Sequence, residues 1–450
     1  MAKQPSPLVL GTEKISRLLV QYASPAIIAM TAASLYNIVD SIFIGHGVGA
    51  LAISGLALTF PIMNLAAAFG TLAGVGASTL LSLKLGQKDY ETAHRVLGTT
   101  LVLNVILGIA FSVVNLIFLD PILYFFGASE QTISYARDYM GIILLGNVVT
   151  HVFFGLNAIL RSAGFPKRAM YATLASVIIN CLLNPLFIFG FGWGIKGSAT
   201  ATIISQIISM IYQLVHFSDS SHLIHFRKGI YRLEKVMVRD ILSIGLSPFL
   251  MNMGGCLIVI LINRGLKEYG GDLAIGAYGI VNRMASLFVM VVMGLNQGMQ
   301  PIAGYNFGAG HYDRVMEATR LTMKLAVGVS AIGFLLCEFF PTAIARIFTS
   351  DEELTAIAVY GLRVTFVIFP VVGFQMVATN FFLAIGMPKK SIFLSLTRQL
   401  IFLIPFLIVF PYFMGATGVW VSMPTADFIA TVVAWAVLKK QFNKLKGLGS

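Results

Sequence analysis

Twelve apolar stretches, each long enough to cross a bilayer as a helix, follow one another along this chain with short polar breaks between them. They fall roughly at 18–45, 50–83, 96–120, 138–160, 169–191, 196–217, 240–264, 273–305, 321–345, 354–384, 391–413 and 416–438. A helix needs about 20 apolar residues to span the hydrocarbon core. Inside lipid every backbone N–H and C=O must find a partner within the protein, and a continuous apolar run of this length meets that demand as an α-helix. Several runs exceed the minimum, so those helices are expected to tilt or kink. Charged residues make up only 11% of the chain, against about 25% in soluble domains. The expectation is an all-α membrane protein with twelve transmembrane helices.

The formal net charge of +12 raises the question of nucleic acid, but the positions of the charges answer it. Under this layout twenty-three of the 31 Lys and Arg fall in loops and termini on one side, and four (Arg137, Lys196, Lys267, Arg346) on the other. That is the positive-inside pattern. It predicts both termini in the cytoplasm of a multi-pass plasma (inner) membrane protein. Lys3, Lys14 and Arg17 precede a run far longer than a signal h-region, so the first helix is expected to stay uncleaved. The most polar loop, Ser218–Lys235, carries His222, His225, Arg227, Lys228, Arg232 and Lys235, and reads as a solvated basic linker. Cys181, Cys256 and Cys337 lie in apolar runs and suggest no disulfide framework.

The linker divides an internal repeat. Ser24-Pro25 pairs with Ser247-Pro248, GALAISG (49–55) with GDLAIGA (271–277), and Leu85-Gly86 with Phe307-Gly308. Arg161-Ser-Ala-Gly-Phe-Pro-Lys167 pairs with Leu383-Ala-Ile-Gly-Met-Pro-Lys389, Pro185 with Pro405, and Gly197 with Gly418, all at an offset of roughly 222 residues. Six helices per half preserve the membrane orientation. The halves, 1–217 and 236–450 with the linker 218–235 between them, are therefore expected to be six-helix bundles related by a pseudo-twofold along the membrane normal.

One residue stands out against the apolar background. Asp40 lies inside the first run, where a carboxylate costs about 2.5–3.5 kcal/mol on insertion scales and so marks a function. Tyr36 and Asn37 share its helical face. In the fifth helix Asn180 and Asn184 are four apart, with Pro185 removing a ladder hydrogen bond beside them. In the sixth, Ser198, Thr202 and Gln206 form a third polar stripe. Three polar stripes in one half can meet around Asp40. The plainer reading is hydrogen-bonding glue between membrane helices. Arg283, in the eighth run, and Asp427, in the twelfth, are further cavity candidates; pairing with an Arg such as Arg398 is the alternative for Asp427.

The sequence resembles the multidrug and toxic compound extrusion (MATE) family. The likeness is carried by the Asp40 stretch, GVGASTLLSLKLGQKDYETA (74–93), LRSAGFPK (160–167), NCLLNPLFIFGFGWGIKGSATAT (180–202) and QGMQPIAGYNFGAG (297–310). The resemblance implies a two-lobed antiporter that exports organic, often cationic compounds in exchange for H⁺ or Na⁺. An acid in the first helix is similar to the DinF-type branch; NorM-type members carry a glutamate in the seventh helix, where this chain has Gly255. On this resemblance the coupling-ion site maps onto Asp40, Asn180, Asn184 and Thr202, with Tyr36, Asn37, Arg283 and Asp427 as cavity residues and Pro185 as hinge. Asn184 departs from the pattern, since relatives usually have Asp before this proline.

A lipid-linked oligosaccharide or lipid flippase of the same superfamily is the alternative, but it calls for a strongly cationic cavity. An enzyme calls for a motif such as HExxH or GxSxG, and the chain has neither. No cofactor is expected. The expected partners are a small organic substrate and the bilayer, with no nucleic acid, and the expected state is a monomer. Sodium wants several oxygens and charge, whereas one carboxylate among amides and hydroxyls suits a proton, so H⁺ is favoured over Na⁺.

Overall fold

The computed structural model describes residues 7–449, without the side chains of Asn37, Ile38 and Ala50. The described residues are helical almost throughout and include no strand. The long helices are α1 (Ile15–Gly47), α2 (Ala50–Gly86), α3 (Tyr90–Ile117), then after the short α4 (Leu119–Phe125), α5 (Ile133–Ser162), α6 (Pro166–Pro185) and α7 (Gly194–Ser218). Beyond the linker come α8 (Lys235–Gly308), α9 (Tyr312–Phe339), the short α10 (Pro341–Phe348), α11 (Glu352–Phe366), α12 (Phe369–Ala384), α13 (Pro388–Leu396), α14 (Ile404–Met414) and α15 (Ala416–Gly449).

Ten segments among the described residues are long and apolar enough to span, and eleven when α11 and α12 are joined across their 50° bend. The run expected at 354–384 is therefore one broken helix, with the chain turning at Val367–Ile368 just before Pro370. α8, at 74 residues, is interrupted by the non-helical backbone of Gly271 (φ 73°). Its length suffices for two crossings.

Helix ends follow local chemistry. Asp89 caps α3 by accepting from Thr92 N, and Asp351 caps α11 by accepting from Leu354 N. The repeated Gly-x-Pro motif is a stop and a start. Gly164 (φ 97°) and Gly386 (φ 70°) close their helices in the left-handed region, and Pro166 and Pro388 open the next ones. Phe165 N then bonds to Leu160 O and Met387 N to Phe382 O in the same way. At another repeat position the halves differ: Gly310 turns at φ 76°, while Lys88 makes the same turn at φ 60° with a side chain.

Contacts gather the chain into two compact units. One holds the described residues through Thr12 with Ile28–Phe249, and the other holds Glu13–Ile27 with the described residues from Leu250 on. The sequence division at 217 and 236 separates the repeats, whereas packing assigns the first turns of α1 and α8 each to the opposite half's unit. Both changes of unit come a few residues after a Ser-Pro pair, at Pro25 and Pro248. The first unit has a core built on Leu56, Ile62, Tyr139, Met140 and Leu144, and the second one built on Ile262, Leu266, Phe366, Trp420 and Leu362. Small residues bring helices close: a Cβ on Gly74 would sit 3.1 Å from Gly155 Cα, and one on Gly373 would strike Ala326 O.

In α6 the usual pattern is inverted. Leu182 is 68% exposed, while Asn180 and Asn184 are buried at 2% and 0%. A helix apolar outside and polar inside belongs in lipid rather than water.

Candidate ion-coupling site

The inward polar faces of α1, α6 and α7 meet in the first unit. Asp40, 5% exposed, accepts a hydrogen bond from Ser198 Oγ at 2.5 Å and one from Asn184 Nδ2 at 2.8 Å on the same oxygen, Oδ1. Asn184 Nδ2 also donates to Asn180 Oδ1 at 2.6 Å. Asn180 Nδ2 donates onward to Thr202 Oγ1 at 3.0 Å and to the Tyr36 hydroxyl at 3.3 Å, and Tyr36 and Thr202 share a 2.9 Å bond. Helical spacing explains the assembly, because Tyr36 and Asp40, Asn180 and Asn184, and Ser198 and Thr202 are each four residues apart.

The charge balance decides what this cluster can do. Every partner of Asp40 is a neutral amide or hydroxyl, and among the described residues Asp40 makes no ion pair. A buried carboxylate held only by neutral donors can lose its charge without leaving a stranded cation. Asn184 Oδ1 is buried and has no partner, which leaves one amide oxygen beside the carboxylate. That oxygen, with Asn180 Oδ1 and the hydroxyls, is a weak donor set for a hard cation. No group of three or more His, Cys, Asp or Glu suited to a metal occurs among the described residues.

The structure thus brings Asp40, Asn180, Asn184 and Thr202 together, and adds Tyr36, expected at the cavity, to the same network. Ser198 was visible in the sequence as one of its stripe but not singled out; its position four before Thr202 was the signal. Buried Tyr139, on α5, gave no signal, since nothing there marks it apart from other tyrosines. The Asn37 side chain lies outside those described. Arg283 is exposed and takes no part in the cluster. Asp427 belongs to the other unit, where Arg398 Nε donates to it at 2.5 Å; its charge is matched by a cation.

Pro185 ends α6, and the next five residues, Leu186–Gly190, form a π-helical turn. Proline removes a donor from the ladder and the wider turn absorbs the mismatch. In the second half the π-helical turn Thr397–Leu403 comes before Pro405 instead. The linker is less solvated than its composition suggests. His222 is 7% exposed, its ring stacked on that of His216 at 4.2 Å.

Comparison with known proteins decides the family. The MatE family model matches residues 25–186 and again residues 244–409, one match in each half of the repeat. This chain belongs to the MatE family.

MATE proteins are membrane transporters, not enzymes. Among curated relatives, the multidrug export protein MepA of Staphylococcus haemolyticus is 30% identical over 437 residues, covering 96% of this chain and 95% of its own. MepA of Staphylococcus aureus (strain MSSA476) is 28% identical over 427 residues, covering 94% and 93%. Among solved structures, a crystal structure of MATE in the bent conformation superposes with a TM-score of 0.93 at 23% identity, covering 98% of this chain and 99% of that one. The outward-facing conformation of a multidrug resistance MATE family transporter gives 0.92 at 24%, covering 98% of each. These likenesses establish the fold.

Proposed function

We propose that this MATE protein is a secondary-active antiporter that exports organic, cationic or amphipathic compounds in exchange for protons, with Asp40 as the coupling carboxylate. The observation that carries the reading is the chemistry of Asp40's partners: a buried acid bonded by Ser198 and Asn184, with no cation to hold it ionised. Such a group can take a proton from one side and yield it on the other as its surroundings change. The relatives' names, multidrug export protein, point to the cargo class.

The proposal includes twelve crossings, six in each half, with α8 counted twice and the halves related by a pseudo-twofold along the membrane normal. The constant repeat offset and the double match of the family model support it. Both termini are cytoplasmic on the strength of the Lys/Arg asymmetry. The acid in the first helix supports assigning the chain to the DinF-like branch. Alternating access requires bending around Pro185, where the broken ladder lies one residue from Asn184.

The test is transport by purified protein in liposomes with H⁺ and Na⁺ gradients imposed separately. A proton gradient alone should drive export of an organic cation such as ethidium, with lumenal pH changing only when the cation is present. Robust export on a sodium gradient at clamped pH would assign coupling to sodium instead.

A further inference from the structure

The polar faces of α6 and α7 continue past the Asp40 cluster. On α6, Ser176 and Thr173 follow Asn180 at helical spacing; on α7, Ser205, Ser209, Gln213 and His216 follow Thr202. The two helices run antiparallel in a register fixed by bonds at three levels: Asn180 to Thr202, Ser176 to Ser205 at 3.5 Å, and Arg168 to His216. Thr173 therefore stands level with Ser209. From α5, Asn157 Nδ2 donates to Ala169 O at 2.9 Å and to Thr173 Oγ1 at 3.2 Å, adding a third polar wall. Thr202 to His216 is about 21 Å along the helix axis.

Bonds cross the seam near Asn180 and at Arg168, but none reaches the Ser209 or Gln213 side chain between them. Ser209 and Gln213 are 0% exposed, yet Ser209 Oγ and both amide atoms of Gln213 have no partner. His216 Nε2 is likewise buried and unpaired. A buried donor or acceptor left unmet pays its full desolvation penalty. Helix-gluing polar residues bond to one another, and these do not. Buried waters making two to four bonds each are the common remedy where a site is polar on several sides.

At the linker end the seam meets a fixed positive charge. Arg168 donates to His216 Nδ1, so that nitrogen carries no proton and Nε2–H points away from it. Arg168 also reaches His222 Nε2 at 3.5 Å and lies over the Phe165 ring at 5.5 Å. Burial and the Arg168 charge hold His222 below its ordinary range, with Asp219 at 3.6 Å pulling the other way. Arg168 thus stands against both His216 and His222, with exposed Asp219 on the far side of His222. A permanent cation at that point repels a proton while leaving water undisturbed.

We infer that the α6–α7 seam is a water-filled half-channel leading from the Asp40 cluster to the linker, and that Arg168 is the plug that keeps protons from leaking through it. Water in the seam gives the polar shell of Asp40 a solvent contact on its inner side. An antiporter that let protons pass there would lose its gradient without moving cargo, so the plug is needed as much as the water. The inference rests on Asp40 being a proton site.

Leak is measured in proteoliposomes holding a trapped pH dye, with a pH gradient, a potassium–valinomycin clamp and no organic cation. Arg168→Gln should raise proton leak at least tenfold over the unaltered protein, and Arg168→Lys, which keeps the charge, should not. Adding Gln213→Leu, which replaces the amide by hydrocarbon, should return the leak of Arg168→Gln to the baseline. Unchanged leak in Arg168→Gln, or leak indifferent to Gln213→Leu, overturns the half-channel. Should Arg168→Gln fail to fold, a structure of the unaltered protein resolving ordered water decides the matter. Waters bonded to Ser209, Gln213 and His216 Nε2 support the inference, and a dry seam sinks it. A leak that follows these expectations in a protein whose export runs on sodium keeps the seam and removes only the proton-coupling proposal.

Discussion

Each half of this protein sets an aspartate among its helices, Asp40 buried and Asp427 half-buried, and the two are treated in opposite ways. Asp40 is bonded by Ser198 and Asn184 and meets no cation, whereas Asp427 is paired with Arg398 at 2.5 Å. A carboxylate locked to a guanidinium has its charge matched, and losing either partner strands the other. A carboxylate among amides and hydroxyls is free to change state. The repeat therefore shares a scaffold but not a chemistry, and the half with the charge-matched acid is the one built for permanence. The prolines repeat the contrast: Pro185 follows the polar Asn184 and precedes its π-helical turn, while Pro405 follows Ile404 and comes after its own.

The largest effect should come from removing the changeable charge. Asp40→Asn is expected to cut gradient-driven export at least a hundredfold while protein level and thermal stability stay near normal; export within a few-fold of the original would break the contrast between the two acids. Asp427→Asn should do the reverse. It leaves the Arg398 charge unmatched among the helices, at a cost of about 3 kcal/mol, seen as a lowered unfolding temperature in detergent. Joint replacement with Arg398→Gln should recover most of that loss. If Asp427→Asn abolished coupling in a stably folded protein, the second unit would have to share the proposed ion site.

Asn184→Asp sharpens the comparison by adding a charge to the half that lacks a second one. Its carboxylate would stand 2.8 Å from Asp40 Oδ1, a pair that demands a cation, and apparent sodium affinity should rise about tenfold, roughly 1.4 kcal/mol. Sodium titrations of export rate measure it, and no rise would mean that these oxygens do not face a cation. Pro185→Ala should slow exchange several-fold with normal protein levels, and Pro405→Ala less so. Equal effects would deny that the π-helical turn beside Asn184 is special. The smallest change tests the turns: Lys88→Gly, which gives the first half the glycine that the second has at Gly310, should stabilise by about 0.5–1 kcal/mol. Thermal unfolding checks it, and a loss of stability would show that the Lys88 side chain, and not the backbone, matters there.

Local rules carried much of this structure. Lipid leaves a backbone few choices, so the length of the apolar runs by itself dictated helices, and the paired Gly-x-Pro motifs dictated where they stop and start. Asp40, Asn180, Asn184 and Thr202 were legible because a polar residue at depth is costly and four-residue spacing places each pair on one face. Tertiary structure decided the rest. The bend between α11 and α12, the assignment of the first turns of α1 and α8 to opposite units, and the capture of Asp427 by Arg398 depend on neighbours far along the chain. So do Ser198's bond to Asp40 across 158 positions and the unmet polar atoms of Gln213. Spacing along one helix tells which residues share a face, but only the packing of helices against each other tells what that face meets.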